Sequence, residues 1–415
     1  MPDIRAVDSL DAPDVSIVMP CLNEALSLPH CLANAREALA LLASRLGLTG
    51  EIVIADNGST DGSQLIARAG GARVVDAPRR GYGAALIAGF EGASGRYLVM
   101  GDCDGSYDFR EAVDLVALLR DGAGLAMGSR FKGGIAPGAM PWKNRHIGNP
   151  VLTGILNLFF RSGVSDAHCG LRALTKDCFH RLGLSGSGME FASEMIIKAA
   201  LKGEKIAEAP VKLSRDIRDR PPHLRPWRDG WRHLRYLLML SPAWAFAAPA
   251  ALAASVSLFI FAMSLSAWAS GHWEESFFGN YWAILAGSLL GLAHTAGLLG
   301  AATHLYSVRA GYRPALRADG FLARWISLES MLIAGGLVFL AGAGLLSGVL
   351  AWWSGHNFSG IRNVLPAVLG STLMVIGAQN AMGGFLLAIG AGHEADFLKP
   401  AQPEARPAEP MREAA

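Results

Sequence analysis

Two carboxylates two residues apart, Asp102-Cys103-Asp104, follow directly on the strand-like run Arg96-Tyr97-Leu98-Val99-Met100. Carboxylate oxygens are hard donors, and Mg²⁺ or Mn²⁺ needs only one or two of them beside phosphates and water. The pair therefore suits a cation on a diphosphate, with one carboxylate near a ribose. A second turn, Asp56-Asn57-Gly58-Ser59-Thr60-Asp61-Gly62, follows Glu51-Ile52-Val53-Ile54-Ala55. Asp56 stands where it can accept a hydrogen bond from a nucleobase N–H, although the same residues also make a good helix cap. A third turn, Pro20-Cys21-Leu22-Asn23-Glu24, follows Val15-Ser16-Ile17-Val18-Met19 and can wall in a base and ribose. Each turn alone also reads as an ordinary loop; their common position at strand ends is what raises them.

The elements that must position these turns alternate. Helical spacing over residues 25–46, 64–69 and 83–91 separates the strand-like runs at 15–19, 51–55, 73–75 and 96–100. This β-α-β order predicts a mostly parallel, doubly wound α/β sheet, whose ligands bind beyond the carboxyl ends of its strands. Arg80-Gly81-Tyr82-Gly83 fails as a dinucleotide fingerprint because Leu86 occupies the third glycine position. It remains a turn before a helix or a diphosphate contact.

Beyond about residue 243 the composition changes. Four apolar stretches, at about 243–269, 281–306, 326–352 and 364–389, each exceed the roughly 20 residues needed to span a bilayer. Arginines lie before the first stretch and at 309, 313, 317 and 324, between the second and third; the 271–280 connection carries only acids. The positive-inside rule then places both termini and the preceding domain in the cytoplasm. Residues 225–236 interleave Trp227 and Trp231 with Arg225, Arg228, Arg232 and Arg235, the pattern of an amphipathic helix at a lipid surface. The expected organisation is a tail at 1–13, a catalytic domain at 14–215, a basic juxtamembrane segment at 216–242, four membrane helices within 243–391 and a disordered tail at 392–415. Residues 1–14 lack the apolar core of a signal peptide, so insertion is assigned to the later stretches. The five cysteines form no C-x-x-C pair and suit reduced thiols. A net charge of +2 argues against nucleic acid as a partner. Gly287-x-x-x-Gly291 and Gly344-x-x-x-Gly348 offer close helix contacts within the chain or in a homo-oligomer, and His294, Gln379 and Asn380 are expected to hydrogen-bond between helices.

Strand–Pro-x-x-Asn-Glu, strand–Asp-x-Gly-Ser-x-Asp and strand–Asp-x-Asp, in this order, resemble the inverting family 2 glycosyltransferases over residues 14 to about 235. That resemblance implies a GT-A fold, a nucleotide-diphospho-sugar transferase domain with a Rossmann-like mixed sheet. Arg80-Gly81-Tyr82-Gly83-Ala84-Ala85, Gly128-Ser129-Arg130-Phe131, Asp166-x-x-Cys169-Gly170-Leu171-Arg172 and Gly188-Met189-Glu190-Phe191-x-x-Glu194 are similar to the polyprenyl-phosphate hexosyltransferase branch. The implied reaction moves one hexose, glucose or mannose, from a UDP- or GDP-sugar to a polyprenyl phosphate, with Mg²⁺ or Mn²⁺. Implied contacts to the nucleotide-sugar are Pro20, Asn23, Glu24, Asp56, Gly81, Asp102, Asp104 and Asp166, with the metal on Asp102 and Asp104. Two departures stand out. Asn57 replaces the second carboxylate of an Asp-Asp pair, and Arg218-Asp219-Arg220-Pro221-Pro222-His223-Leu224-Arg225 replaces a Gly-x-Ser-Lys phosphate segment.

A phosphate monoester acceptor is already an anion near neutral pH and needs no general base. Catalysis is then electrostatic: a metal at Asp104 for the leaving diphosphate, and cations for the acceptor phosphate. Arg130, Arg145 and Arg172 are expected in that role with Arg218 or His223, and Arg130 and Arg172 with Asp104 form the expected catalytic set. Asp166 and Glu194 either bind sugar hydroxyls or orient these arginines. Rival readings are a processive polysaccharide synthase, whose Gln-x-x-Arg-Trp lacks its Gln at Phe321-Leu322-Ala323-Arg324-Trp325, and a non-catalytic nucleotide-sugar-binding scaffold. A transport role for the four spans has no charged path to support it.

Overall fold

The computed structural model describes residues 12–217, 226–310, 325–393 and 395–398. The chain divides into two compact units at Ser241/Pro242. In the first, strands β1 (Val15–Cys21), β2 (Gly50–Asp56), β3 (Arg73–Asp76), β4 (Tyr97–Met100), β5 (Leu125–Ser129), β6 (Arg172–Thr175) and β7 (Ile206–Pro210) form one sheet in the order β3-β2-β1-β4-β6-β5-β7. Strands β1 to β4 pair in parallel, as the alternating pattern predicts. Strand β6 is the exception: it runs antiparallel between β4 and β5, which makes the sheet mixed. This is the GT-A arrangement.

The strands read as near-continuous apolar runs because both faces are covered. Ile17, Met19, Ile52 and Ile54 point to one face, under helices α1 (Leu28–Leu46), α2 (Ser63–Ala69) and, further along, α4 (Ala112–Arg120). Val18, Val53 and Ala55 point to the other, where α3 (Tyr82–Gly92) contributes Leu86 and Phe90. That face is completed by α6 (Asn149–Phe160), α7 (Lys176–Leu182) and α8 (Phe191–Leu201), the short α5 (Arg130–Gly133) lying just past β5. Helix α9 (Pro226–Met239) also belongs to this unit: His233 and Leu237 are buried while Arg228, Trp231 and Arg235 are exposed. A one-sided helix of this kind is what the interleaved Trp and Arg predict.

In the second unit, α10 (Ala248–Ala269), α11 (Asn280–Arg309), α12 (Leu328–Gly355) and α13 (Leu365–Gly390) carry the four stretches long and apolar enough to cross a membrane, the first extended back to Ala243. Gln379 Nε2 donates to Thr295 Oγ1 (3.0 Å) and Asn380 Nδ2 to the Met331 carbonyl (2.8 Å), the expected interhelical bonds, whereas His294 Nε2 is buried with no hydrogen-bond partner among the described residues, against the expectation for it. Gly287 faces Thr372 on α13, whereas a Cβ placed on Gly344 or Gly348 would meet open space among the described residues. The tail expected to be disordered from residue 392 is ordered further than that. Phe397 is 1% exposed against Leu305, Met331 and Leu387, and the Ala395 carbonyl accepts the Leu328 N–H (3.0 Å). The Pro- and Glu-rich stretch itself begins at Lys399, outside the described residues.

Candidate active site

The three turns meet at the carboxyl ends of β2, β1 and β4, which are adjacent in the sheet. They are bonded to one another directly. Asn23 adopts φ +58°, a region that Asn tolerates better than most residues. Its N–H donates to Ser59 Oγ (2.9 Å), and its side-chain oxygen accepts the Thr60 N–H (2.8 Å). The Glu24 N–H donates to Ser63 Oγ (3.0 Å), and the buried Glu24 carboxylate accepts from Ser27 Oγ (3.1 Å). The single Ser27 hydroxyl proton is shared between this carboxylate and the nearer Cys103 carbonyl (2.6 Å), and Cys103 Sγ donates to the Pro20 carbonyl (2.9 Å), so the Asp102–Asp104 turn is tied to the first.

Asp56 is buried, and its carboxylate accepts the N–H groups of Gly58 and Ser59 and the Gln64 amide (2.6 Å). Burial raises its pKa, but the bonds from Ser59, Gln64 and Gly58 outweigh burial and hold it below the ordinary carboxylate value. The carboxylate thus shapes its own turn. Asn57 has a role the sequence did not disclose. Its amide donates to the carbonyls of Arg79 (2.7 Å) and Ala77 (3.3 Å), and its oxygen accepts the Gly81 N–H (2.8 Å). Only an amide can both donate and accept here, which explains the departure from a second carboxylate. Gly81 itself has φ +131°, and a Cβ there would sit 2.1 Å from the Ser187 carbonyl oxygen. The 185–188 loop that presses on it is held from behind: Glu194 accepts the N–H groups of Ser185 (3.0 Å) and Gly186 (2.7 Å) and pairs with Lys198 (2.7 Å).

Asp102 Oδ1 accepts the Tyr82 hydroxyl (2.9 Å), and Asp104 Oδ1 accepts the Ser106 N–H (2.9 Å). Burial first, then the adjacent Asp102, pushes the Tyr82 phenol well up, which keeps it a donor. Gly170 lies where a Cβ would come within 2.7 Å of Asp102 Oδ2. Among the described residues no three His, Cys, Asp or Glu side chains gather as a metal cage. Two oxygen donors without nitrogen or thiolate fit a Mg²⁺ or Mn²⁺ that completes its shell with phosphate and water, and do not fit a closed zinc-type site.

The arginines separate sharply. Arg130 is held in a bidentate pair by Asp166, Nε–Oδ2 2.7 Å and Nη2–Oδ1 2.8 Å, and Asp166 is completely buried. Burial would raise Asp166, but Arg130 outweighs it and holds the carboxyl below its usual range. Asp166 therefore orients Arg130, one of its two expected roles. Arg145 is exposed on the wide Asn144–Gly148 turn that enters α6. Arg172 corrects the expectation. It is 0% exposed, and Nε, Nη1 and Nη2 donate to the carbonyls of Cys169 (2.8 Å), Ala192 (2.6 Å) and Ala167 (2.9 Å). A guanidinium enclosed in this way fixes the 167–170 loop and the start of α8, and is not presented to an acceptor phosphate. Arg218 and His223 lie outside the described residues.

Residues 16–183 match the family described as Glycosyl transferase family 2, and residues 301–391 match the Glycosyltransferase family 2 C-terminal transmembrane region. With four helices of membrane-spanning length and composition, the chain is an integral membrane protein. It is 36% identical over 390 residues to the low-salt glycan biosynthesis hexosyltransferase Agl6 of Haloferax volcanii, covering 92% of this chain and 91% of that one. It is 29% identical over 198 residues to a dolichyl-phosphate hexose transferase of the same organism, covering 48% of this chain and 82% of that one. Glucosyl-3-phosphoglycerate synthase of Mycobacterium tuberculosis is a more distant structural match, with a TM-score of 0.41 and 21% identity over 55% of this chain and 78% of that one.

Proposed function

The chain belongs to glycosyl transferase family 2 and is a hexosyltransferase by its relatives; from that premise we propose that it moves one hexose from a UDP- or GDP-sugar to a polyprenyl phosphate, inverting the anomeric carbon. The observation that carries this reading is the bonded cluster of three strand-end turns, with Asp56 at one end, Asp102 and Asp104 at the other, and Arg130 fixed by a buried partner. The similarity to a dolichyl-phosphate hexose transferase supports the lipid acceptor.

In this mechanism the donor diphosphate lies across the Asp102–Asp104 turn. Asp102 and Asp104 are the residues that would hold Mg²⁺ or Mn²⁺, which would supply positive charge for the departing diphosphate. An oxygen of the acceptor phosphate forms the new bond to the anomeric carbon as the bond to the diphosphate oxygen breaks. The acceptor arrives ionised, so no side chain takes a proton. Arg130 supplies fixed positive charge in a water-poor site, where its orientation by Asp166 removes reorganisation at the moment of reaction. Arg145 meets the acceptor phosphate from an exposed position. The catalytic unit and both termini face the cytoplasm, and the exposed Arg228, Trp231 and Arg235 of α9 rest on anionic headgroups.

The test is transfer from radiolabelled UDP- and GDP-hexoses to polyprenyl phosphate by the full-length protein in membranes. Label is expected in organic solvent as lipid-linked sugar, dependent on Mg²⁺ or Mn²⁺ and lost in Asp104→Ala. Label in a polymer means a synthase. No transfer from any donor, with UDP and GDP still bound, means a non-catalytic binding protein.

A further inference from the structure

Cys21 and Cys103 belong to different turns of the donor cleft, yet they are neighbours. Strands β1 and β4 pair in parallel from Val15↔Tyr97 to Val18↔Met100, and the Gly101 N–H donates to the Val18 carbonyl beyond the last pair. Carried on at the same offset, this register sets Cys103 opposite Cys21. Adjacent strands run about 4.8 Å apart, inside the roughly 4.4–6.8 Å of Cα separation that a disulfide spans. The side chains share one face, since both belong to the same core cluster. Cys103 Sγ lies 2.9 Å from the carbonyl oxygen of Pro20, the residue preceding Cys21. Both thiols are almost buried, so only a small oxidant can reach them.

We propose that Cys21 and Cys103 form an oxidation site, in which a hydroperoxide closes a disulfide between β1 and the Asp102–Asp104 turn and thereby shuts off donor binding. The Cys21 thiolate attacks the peroxide oxygen, the O–O bond breaks, and an alcohol or water leaves, giving a sulfenic acid. Cys103 sulfur then attacks the sulfenyl sulfur; the S–S bond forms, the S–O bond breaks and water leaves. Two thiols are oxidised by two electrons and one peroxide is reduced. Cys21 suits the attacking role because its hydrogen bond with the Cys103 thiol outweighs burial and draws its pKa below the ordinary thiol value. The remaining thiols differ: burial pushes Cys31, Cys169 and Cys178 each up to about 12. The bond removes the Cys103–Pro20 contact and pulls on the residue between the two carboxylates. Asp102 then shifts against Tyr82 and Gly170, which already enclose it.

Formation of the bond does not depend on the transferase reading; its consequence does, and the two are measured separately. The full-length protein in detergent is treated with hydrogen peroxide, blocked with an alkylating agent under denaturing conditions and digested. The expected product is a Cys21–Cys103 linked peptide that dithiothreitol separates. In parallel, binding of UDP or GDP with Mn²⁺ is expected to weaken at least ~10-fold on oxidation and to recover on reduction. Cys21→Ala and Cys103→Ser are each expected to make binding insensitive to peroxide. Free Cys21 and Cys103 after treatment, a sulfinic acid on Cys21, or a linked peptide with unchanged nucleotide binding each overturns the proposal. If reduced protein binds neither nucleotide, the donor-site reading fails with it, while the linked peptide still judges the bond.

Discussion

The buried Arg130–Asp166 pair makes a quantitative prediction. Asp166 is 0% exposed and Arg130 7%, and they share two hydrogen bonds of 2.7 and 2.8 Å. Removing one partner of such a pair leaves an uncompensated charge in a poorly solvated place, at a penalty of about 3–5 kcal/mol. The two sides are not equivalent here. In Arg130→Met the carboxylate keeps the backbone N–H groups of residue 130 (3.1 Å) and His168 (3.3 Å). In Asp166→Ala the guanidinium loses both of these short bonds at once. Asp166→Ala is therefore expected at the upper end of the range, Arg130→Met below it, and Arg130→Met/Asp166→Leu milder than Asp166→Ala alone. Cys169, completely buried beside the pair, provides the assay. Its alkylation in full-length protein, against urea concentration, reports opening of the first unit. The pH dependence has a defined sign. The folded Asp166 value lies below the ordinary one of 3.8, so the pair's contribution is complete above that value and is lost as pH falls through the folded one. Protection of Cys169 in Asp166→Ala within about 1 kcal/mol of wild type would refute the reasoning, because Arg130 would then have found water or another acceptor at no penalty.

Asn57→Asp replaces the amide donor facing the Arg79 and Ala77 carbonyls with an acceptor. About 1–3 kcal/mol of stability is expected to go, together with a raised KM for the nucleotide-sugar, whereas an unchanged KM would detach this loop from the donor. Gly81→Ala must move either its own turn or the 185–188 loop, given the 2.1 Å approach to the Ser187 oxygen; UDP or GDP binding measured by calorimetry should weaken at least ~10-fold. His168 has both ring nitrogens buried without a hydrogen-bond partner among the described residues, and burial, then His233 and Arg130, push it down to about 3 from 6.5. Stability is thus full above pH 6.5 and falls as the unfolded chain alone takes the proton, by about 2 kcal/mol between pH 6.5 and 5. In His168→Phe the unfolding midpoint should lose that dependence, and an equal slope in the variant would refute the assignment.

The half of the site that could be read from sequence is local. Each motif turn directly follows its own strand, so the apolar run and the turn residues announce each other within a dozen positions. That held for β1, β2 and β4, and for Asp56, Asp102 and Asp104 at their ends. What escaped is set by partners far along the chain. Strand β6 has four residues and lies antiparallel between strands that precede it, an insertion no local period encodes. In sequence Asn57 reads as a lost carboxylate, but the carbonyls twenty and twenty-two residues on require a donor there.

Arg172 and Arg130 carry this furthest, because in sequence they look alike: each is an arginine at the border of an apolar strand. A buried guanidinium must be answered by something, and the sequence says only that. Arg130 is answered by a carboxylate thirty-six residues on, which stabilises its charged form and fixes its orientation. Arg172 is answered by carbonyls from the 167–169 loop and from Ala192, which hold it in place without cancelling the charge. Burial accordingly draws the Arg172 pKa down, whereas Arg130 is raised against burial with help from Tyr107 and Asp166. A cation kept whole by a carboxylate can meet an anionic ligand. One enclosed by its own backbone fixes the walls around that ligand, so the two arginines should separate in kinetics: Arg130→Lys should lower kcat with the fold intact, and Arg172→Lys should destabilise the unit before any catalytic effect can be read.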